Sequence, residues 1–295
     1  MSRNLLGVGP IGWVNDDLRD WGADRDGQEV MSEIAAIGFD GTEMSYRFPS
    51  EPGELKESLA GHGLVLAAAY RWTNFTVPEF TARELDLARQ HVDFCKAAGA
   101  EFATLAEGGG SPHWDARGQR DTVERLSEAR WELLVNSLHE VGSYARSQGI
   151  RLTIHPHGGT AVETPEEIDR LMTALDPELV GYCYDSGHVL YGGGDPGAVA
   201  RRWARRIDYV HVKDVRYRVL EKARTEEWDF ATAVRNNIFC TPGAGMIDFD
   251  PVITALKGAD YGGWYVIEAE QDPAVHDART VSEKAFRFLK DRYSL

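Results

Sequence analysis

The sequence has few cysteines and no long hydrophobic run. Its 295 residues include only three cysteines, Cys95, Cys183 and Cys240, which are far apart and odd in number. This pattern is unsuited to a disulfide framework or a zinc knuckle, and it favours a reducing compartment, the cytoplasm. The apolar stretch at residues 5–8 is too short for a signal peptide. No run approaches the roughly 18 to 20 apolar residues that would cross a bilayer.

Positive charge is also scarce. The chain has 32 Lys and Arg against 47 Asp and Glu, which gives a net charge of −15 at pH 7. The acidic residues are scattered among the basic ones, as is typical of a solvated surface. Nucleic acids and anionic membranes need basic surfaces, so we expect neither kind of partner. A small anionic substrate is not excluded, because a local pocket can oppose the overall charge.

Short apolar runs alternate with longer amphipathic segments along the whole chain. The predicted strands span residues 5–13, 41–45, 65–70, 102–107, 151–157, 180–185, 208–214 and 264–270. The predicted helices span residues 27–37, 53–61, 83–99, 121–148, 165–175, 196–206, 249–258 and 279–292. Parallel neighbouring strands need crossover helices, and eight such units in a chain of this length are typical of a (β/α)₈ barrel.

An open doubly wound sheet is the alternative architecture. It is disfavoured because the G-x-G-x-x-G at residues 7–12 lies inside the first predicted strand and none follows that strand. No linker or low-complexity tract divides the chain. We therefore predict an α/β fold, a (β/α)₈ TIM barrel, as a single domain over residues 1–295.

Polar and ionisable residues recur at the carboxyl ends of the predicted strands, where such barrels carry their active sites. In chain order they are Trp13, Asn15, Glu43, Glu107, His155, His157, Asp185, His188, His211, Lys213, Glu268 and Glu270. Taken singly, several have a structural explanation. His211 is consistent with a core histidine, Asp185 with a turn cap, and Glu268 with an ion pair to Lys213.

Taken together, one residue from each of the last four predicted strands favours a metal site. These residues are His155, Asp185, His211 and Glu268. Crowding them into one low-dielectric pocket would cost several kcal/mol for each unpaired ion, and a divalent cation would remove that cost. Two nitrogens and two oxygens suit Mn²⁺, Co²⁺, Fe²⁺ or Zn²⁺ better than Ca²⁺ or Mg²⁺. Four protein ligands leave room for water or substrate oxygens, which is typical of a catalytic metal site.

Several motifs carry a resemblance to a known family. Three of them resemble the xylose-isomerase-like barrels that isomerise, epimerise or dehydrate sugars: YCYDSGHV (182–189), YVHVKD (209–214) and YVIEAEQDP (265–273). Five others resemble the myo-inosose-2 dehydratases of inositol catabolism: PIGWVNDDL (10–18), GFDGTEM (38–44), HPHGGTAVETPEEIDRLM (155–172), PGAGMIDF (242–249) and EAEQDP (268–273). The resemblance runs from about residue 5 to the C-terminus.

The resemblance implies the same four metal ligands, with Mn²⁺ or Co²⁺ as the cation and Zn²⁺ or Fe²⁺ as alternatives. His155 stands where the wider family has a glutamate, and the dehydratases usually have a run of histidines there. Pro156 and Ala244 depart from the dehydratase pattern, which has a histidine and an aspartate at these positions. A homo-oligomer, either a dimer or a tetramer, is also implied.

The implied reaction is the dehydration of a cyclic ketopolyol, 2-keto-myo-inositol, to a trihydroxycyclohexane-dione. A bound cation would polarise the ketone and acidify the neighbouring C–H. His157 or Glu107 would remove that proton, and Lys213 would stabilise the developing negative charge. The expected catalytic residues are thus His157, Glu107, Lys213 and Glu268. The expected substrate-binding residues are Trp13, Asn15, Glu43 and His188.

Three other functions remain open from the sequence. One is a ketose 3-epimerase or inosose isomerase at the same metal site. A second is a lyase that eliminates from another ketosugar, for which Pro156 and Ala244 leave room. A non-catalytic sugar-binding barrel is the third, and metal content separates it from the enzymes.

Overall fold

The computed structural model describes residues 4–109 and 125–295. The strands of these residues are β1 Leu5–Val8, β2 Gly41–Thr42, β3 Val65–Leu66, β4 Ala68–Thr73, β5 Phe102–Glu107, β6 Arg151–Ile154, β7 Val180–Asp185, β8 Ile207–Val212, β9 Asp214–Val215, β10 Phe239–Cys240 and β11 Trp264–Ile267. The helices are α1 Gly27–Ile37, α2 Pro52–Gly61, α3 Thr81–Ala98, α4 Glu128–Gln148, α5 Pro165–Ala174, α6 Ser186–Tyr191, α7 Pro196–Trp203, α8 Tyr217–Thr225, α9 Phe230–Arg235, α10 Asp250–Gly258 and α11 Ala278–Tyr293.

Nine of the strands form one parallel sheet in the order β3-β2-β1-β11-β8-β7-β6-β5-β4. The strands at its two ends, β3 and β4, are separated in the chain by Ala67 alone. The Ala67 N–H donates to the Thr42 carbonyl at 2.8 Å, so β3 and β4 continue one another. The sheet therefore curls into a barrel with eight strand positions, which confirms the predicted fold.

All eight predicted helices are present, as α1 to α5, α7, α10 and α11. The predicted helix at 121–148 begins at Glu128 within the described residues, and its positions 121–124 lie outside them. Three helices were not predicted: α6, α8 and α9. All three are short. Because α6 begins directly after the last residue of β7, no loop in the sequence marks the change from the strand pattern to the helix pattern.

Several predicted strands end earlier than expected, and this decides where the site residues lie. β1 ends at Val8 because Pro10 starts a 3₁₀ turn over Pro10–Gly12. β6 ends at Ile154, just before the two histidines, and β11 ends at Ile267, just before Glu268. His155 and Glu268 are therefore the first residues after their strands, whereas Asp185 and His211 lie within the last two residues of β7 and β8.

The loop after β6 is fixed by the helix that follows it. Thr164 caps α5: its hydroxyl accepts from the Glu167 N–H at 3.3 Å, and the Glu167 carboxylate accepts from the Thr164 N–H at 2.9 Å. Pro165 occupies the first helical position, where it needs no hydrogen bond. This capping box fixes the point at which the loop that carries His155 and His157 joins α5.

An additional layer covers part of the barrel mouth. β9 and β10 pair antiparallel, and α8 and α9 lie between them in the chain. Leu220, Phe230 and Phe239 of this layer form a separate buried cluster with Leu18 and Trp21 of the loop after β1. Among the residues that the structure describes, no helix has both the length and the apolar character needed to span a bilayer.

Candidate active site

The four side chains predicted as metal ligands converge at the carboxyl end of the barrel. One potential ligand atom from each of them lies within 4.8 Å of the corresponding atoms of the other three. His211 Nδ1 is 2.8 Å from Glu268 Oε2 and 3.2 Å from His155 Nε2. Asp185 Oδ2 is 3.5 Å from both imidazoles. The residues come from the ends of β6, β7, β8 and β11, which are adjacent in the sheet.

Glu43 fixes the orientation of the His211 ring. Its Oε1 lies 3.0 Å from His211 Nε2 and accepts a second hydrogen bond, also 3.0 Å, from the Tyr209 hydroxyl. A carboxylate can only accept, so Nε2 of His211 carries a proton, and its Nδ1 faces the cluster. A carboxylate behind an imidazole in this way is the usual outer partner of a metal-bound histidine.

The cluster has unmet hydrogen-bonding capacity that fits a cation. Asp185 Oδ2 and Glu268 Oε2 are buried and have no hydrogen-bond partner among the described residues. Both face imidazole nitrogens, and His211 Nδ1 lies 2.8 Å from Glu268 Oε2. Two buried carboxylates this close together repel each other unless protons or a cation lie between them. The donor set of two nitrogens and two anionic oxygens is suited to a divalent transition metal.

Lys213 lies behind the cluster. Its fully buried Nζ is 3.3 Å from Glu268 Oε2, 3.5 Å from Asp185 Oδ2 and 3.8 Å from Glu270 Oε1. Burial disfavours the Asp185 carboxylate, but Lys213 and then His188 outweigh burial and hold the pKa of Asp185 well below its usual range. In the same way, Lys213 and then His211 lower the pKa of Glu268 to about 2. Both candidate ligands are therefore anionic at neutral pH.

Lys213 does not line the cavity beside the cluster, and its contacts suit it to keep two carboxylates ionised. Its expected role in stabilising developing negative charge stays a prediction. His188 does not line the cavity either. Its Nδ1 accepts from the Gly158 N–H at 3.0 Å and its Nε2 lies 3.0 Å from Lys213 Nζ, so neither nitrogen reaches the cavity.

A cavity of about 280 Å³ opens beside the cluster. His155, His211 and Glu268 form one part of its wall. The remaining polar wall consists of Asp16, Asp17, Arg19, Glu43, Ser45, Tyr46, Tyr70, Trp72, His157 and Glu270. A small polyhydroxylated ring would find hydrogen-bonding groups on several sides of this cavity. Glu43 is therefore where a substrate-binding residue is expected, although its Oε1 also orients His211.

His157 lies in this wall with a defined tautomer. Its Nδ1 is 2.8 Å from the Gly158 carbonyl oxygen, which can only accept, so Nδ1 carries the proton and Nε2 is the basic nitrogen. The ring stacks at 3.8 Å between centroids on His188 and meets Trp72 edge-on at 4.9 Å. A neutral imidazole held in this way is suited to accept a proton.

Glu107 does not lie where a catalytic base is needed. Its two carboxylate oxygens accept five hydrogen bonds of 2.8 to 3.2 Å from Thr73, Phe75, Thr76 and Gly109. These bonds organise the loop after β4, and Glu107 is not part of the cavity wall. The expected proton transfer by Glu107 is therefore replaced by a structural role.

Trp13 and Asn15 are also displaced from the cavity, because β1 ends at Val8. The Trp13 indole N–H donates to Glu33 Oε2 at 2.7 Å, on the other side of the loop. The Asn15 side chain accepts from the backbone N–H groups of Asp17 and Leu18 at 2.8 and 2.6 Å. Neither residue lines the cavity, so Asn15 acts on the site through the loop that it holds.

The cavity wall includes residues that were given no role from the sequence, among them Asp17, Tyr70, Trp72 and Glu270. Tyr70 and Trp72 are two apart on β4 and so share a face, which is a signal that the sequence offered. The Tyr70 hydroxyl is buried without a hydrogen-bond partner among the described residues. Burial raises the pKa of Glu270 to about 8, against the opposing charge of Lys213.

Comparison with known proteins agrees with this architecture. Residues 31–292 match the family described as the xylose isomerase-like TIM barrel. A solved structure of the IolI protein with a bound zinc atom has a TM-score of 0.74, with 15% sequence identity, and the match covers 98% of this chain and 99% of that one. At this identity the likeness shows the fold alone.

Two relatives are much more similar in sequence. An inosose dehydratase from Geobacillus kaustophilus is 42% identical over 286 residues, which cover 96% of this chain and 93% of the relative. An inosose dehydratase from Clostridium beijerinckii is 36% identical over 292 residues, which cover 97% of this chain and 96% of the relative.

Proposed function

Because this chain belongs to the inosose dehydratases, within the xylose isomerase-like TIM barrels, we propose that it dehydrates 2-keto-myo-inositol with a divalent cation held by His155, Asp185, His211 and Glu268. The reaction class is that of a hydro-lyase acting on a cyclic ketopolyol. The observation that carries the proposed metal site is the convergence of these four side chains around two buried carboxylate oxygens without hydrogen-bond partners. Mn²⁺ or Co²⁺ is the first choice for this donor set, with Zn²⁺ or Fe²⁺ as alternatives.

A cation bound there supplies Lewis-acid polarisation of the substrate ketone, which acidifies the adjacent C–H. The side chains of this chain then have separate tasks. Lys213 keeps Asp185 and Glu268 anionic, and Glu43 holds Nδ1 of His211 toward the cluster. These residues position the ligands before substrate arrives.

His157 is the proposed base for the acidified proton. Its Nε2 is the basic nitrogen because Nδ1 donates to the Gly158 carbonyl, and the ring lies in the wall of the substrate cavity. Elimination needs a base for carbon and an acid for oxygen, so one imidazole suits it better than a symmetric pair of bases would. The Tyr70 hydroxyl and the Glu43 carboxylate are proposed to bind ring hydroxyls.

The test is incubation of Mn²⁺- or Co²⁺-loaded protein with 2-keto-myo-inositol, followed by mass spectrometry of the products. We expect the substrate mass to fall by one water, with a rise in ultraviolet absorbance from the unsaturated or diketone product. Metal-free protein serves as the control. Formation of a stereoisomer of unchanged mass would instead indicate an isomerase or 3-epimerase, and no reaction with this ring would indicate another ketosugar.

The same proposal includes features of the protein beyond its site. We propose a cytoplasmic enzyme with one domain over residues 1–295, assembled as a homodimer or homotetramer. The charge of −15 supports the expectation that neither nucleic acid nor a membrane is a partner. Sedimentation equilibrium measures the assembly state directly.

A further inference from the structure

The loop after β1 brings the carboxyl groups of Asp16 and Asp17 to the cavity wall and holds them there. Asn15 accepts from the Asp17 and Leu18 N–H groups, which closes the turn. Asp16 accepts from the Tyr46 N–H at 2.8 Å, which ties this turn to the loop after β2. Leu18 packs into the apolar cluster that covers the barrel mouth. The turn is therefore held at three points, and Asp17 lines the cavity between them.

Asp17 differs from the other carboxyl groups of the cavity wall. Glu268 belongs to the metal cluster, Glu43 accepts from Tyr209 and His211, and Asp16 is bound to a backbone N–H. Glu270 lies next to the Lys213 ammonium. The Asp17 carboxyl instead meets the Trp72 indole and has no ion pair within the described part of the chain. It is thus available to exchange a proton with a bound ring.

The charges around Asp17 favour its protonated form. Burial, followed by the neighbouring Asp16, raises the pKa of Asp17 to about 6. Glu268 acts in the same direction, while Trp72 and Lys213 oppose it. Tyr70 faces Asp17 from β4, and Glu270 faces it from the segment after β11. A carboxyl group in this environment can donate a proton near neutral pH, unlike an exposed aspartate.

We propose that Asp17 is the catalytic acid that protonates the departing hydroxyl of the substrate. This inference rests on the proposed dehydration. The Asp17 O–H bond and the substrate C–O bond break, a new O–H bond forms, and water leaves with the C–O electron pair. The electron pair of the C–H bond, whose proton goes to His157 Nε2, becomes the new carbon–carbon π bond. Exchange with solvent then returns a proton to Asp17 and removes one from His157.

The experiment compares the wild type with Asp17→Asn, both metal-loaded, acting on 2-keto-myo-inositol in D₂O. Loss of the acid should lower the dehydration rate by about 10²- to 10⁴-fold. The base remains, so deuterium should accumulate at the α-carbon of unreacted substrate, and metal content should equal that of the wild type. Asp20→Asn is the matched control, because Asp20 is an exposed carboxylate paired with Arg235, and its dehydration rate should equal that of the wild type.

The pH profile provides a second readout. Only protonated Asp17 donates, so kcat/KM of the wild type should fall as pH rises through about 6. This decrease in kcat/KM at high pH should be absent in Asp17→Asn. It should be present again in Asp17→Glu, with its midpoint at a different pH. If Asp17→Asn is poorly folded, the rate and profile of Asp17→Glu decide the question.

The outcomes separate this inference from the function on which it rests. If wild-type protein releases no water from the ring, the proposed dehydration is wrong. If the wild type dehydrates the ring and Asp17→Asn does so at the same rate, only the acid assignment is wrong. Equal loss of dehydration and of deuterium exchange in Asp17→Asn would also overturn it, because an acid is not needed to remove the α-proton.

Discussion

Replacement of Glu268 by glutamine is expected to release the bound cation and abolish dehydration, while the barrel remains folded. Glutamine has nearly the same shape but no charge, so the cluster loses one of its two anionic oxygens. We expect metal affinity to fall by more than about 100-fold, since loss of an outer partner alone typically costs about 10- to 100-fold. Lys213 keeps Asp185 and Glu270 as partners and lies 4.7 Å above the Phe239 ring, so its charge remains compensated.

The measurement is elemental analysis after dialysis, together with calorimetric titration of Mn²⁺. The matched control is Glu283→Gln, which removes an exposed carboxylate that pairs with Arg287 on α11. The control should bind one cation per chain with wild-type affinity. If Glu268→Gln bound Mn²⁺ with unchanged affinity, Glu268 would not be a metal ligand.

Replacement of His157 by glutamine is expected to stop proton removal from carbon and leave the metal in place. Glutamine can still donate to the Gly158 carbonyl but has no basic nitrogen. We expect dehydration to fall by about 10²- to 10⁴-fold. Deuterium exchange at the α-carbon should fall with it, because exchange needs the same base. Asp17→Asn should instead keep exchange, so the two variants have opposite signatures.

The measurement is deuterium content of recovered substrate by mass spectrometry, alongside the rate of water loss. His62→Gln, at an exposed position after α2, is the matched control and should match the wild type in both. If His157→Gln exchanged deuterium at the wild-type rate, the base would be another group in the cavity wall.

The metal cluster could be predicted from sequence because it depends on strand order. His155, Asp185, His211 and Glu268 each stand at or just after the end of a strand, and adjacent parallel strands bring those ends together. Neither loop geometry nor side-chain packing was needed to predict that these four residues lie together. Pairs two residues apart were less informative, since Lys213 follows His211 by two residues but runs behind the cluster instead of into the cavity.

The roles of Trp13, Asn15 and Asp17 could not be predicted in the same way, because they lie in a loop. The 3₁₀ turn at Pro10–Gly12 rotates the chain after β1, so Trp13 turns toward Glu33 and Asp17 toward the cavity. Glu107 shows a second limit. It ends β5 as a catalytic residue would, but its oxygens are used by five loop hydrogen bonds that only the folded structure reveals.

The central claim is that one divalent cation lies among four side chains at the mouth of the barrel. Anomalous X-ray diffraction from a crystal of the Mn²⁺-loaded protein tests it most directly. The account predicts one strong manganese peak per chain, within bonding distance of His155 Nε2, Asp185 Oδ2, His211 Nδ1 and Glu268 Oε2. A fully active, manganese-loaded enzyme whose crystals have no peak there, or have the peak on other residues, would contradict it.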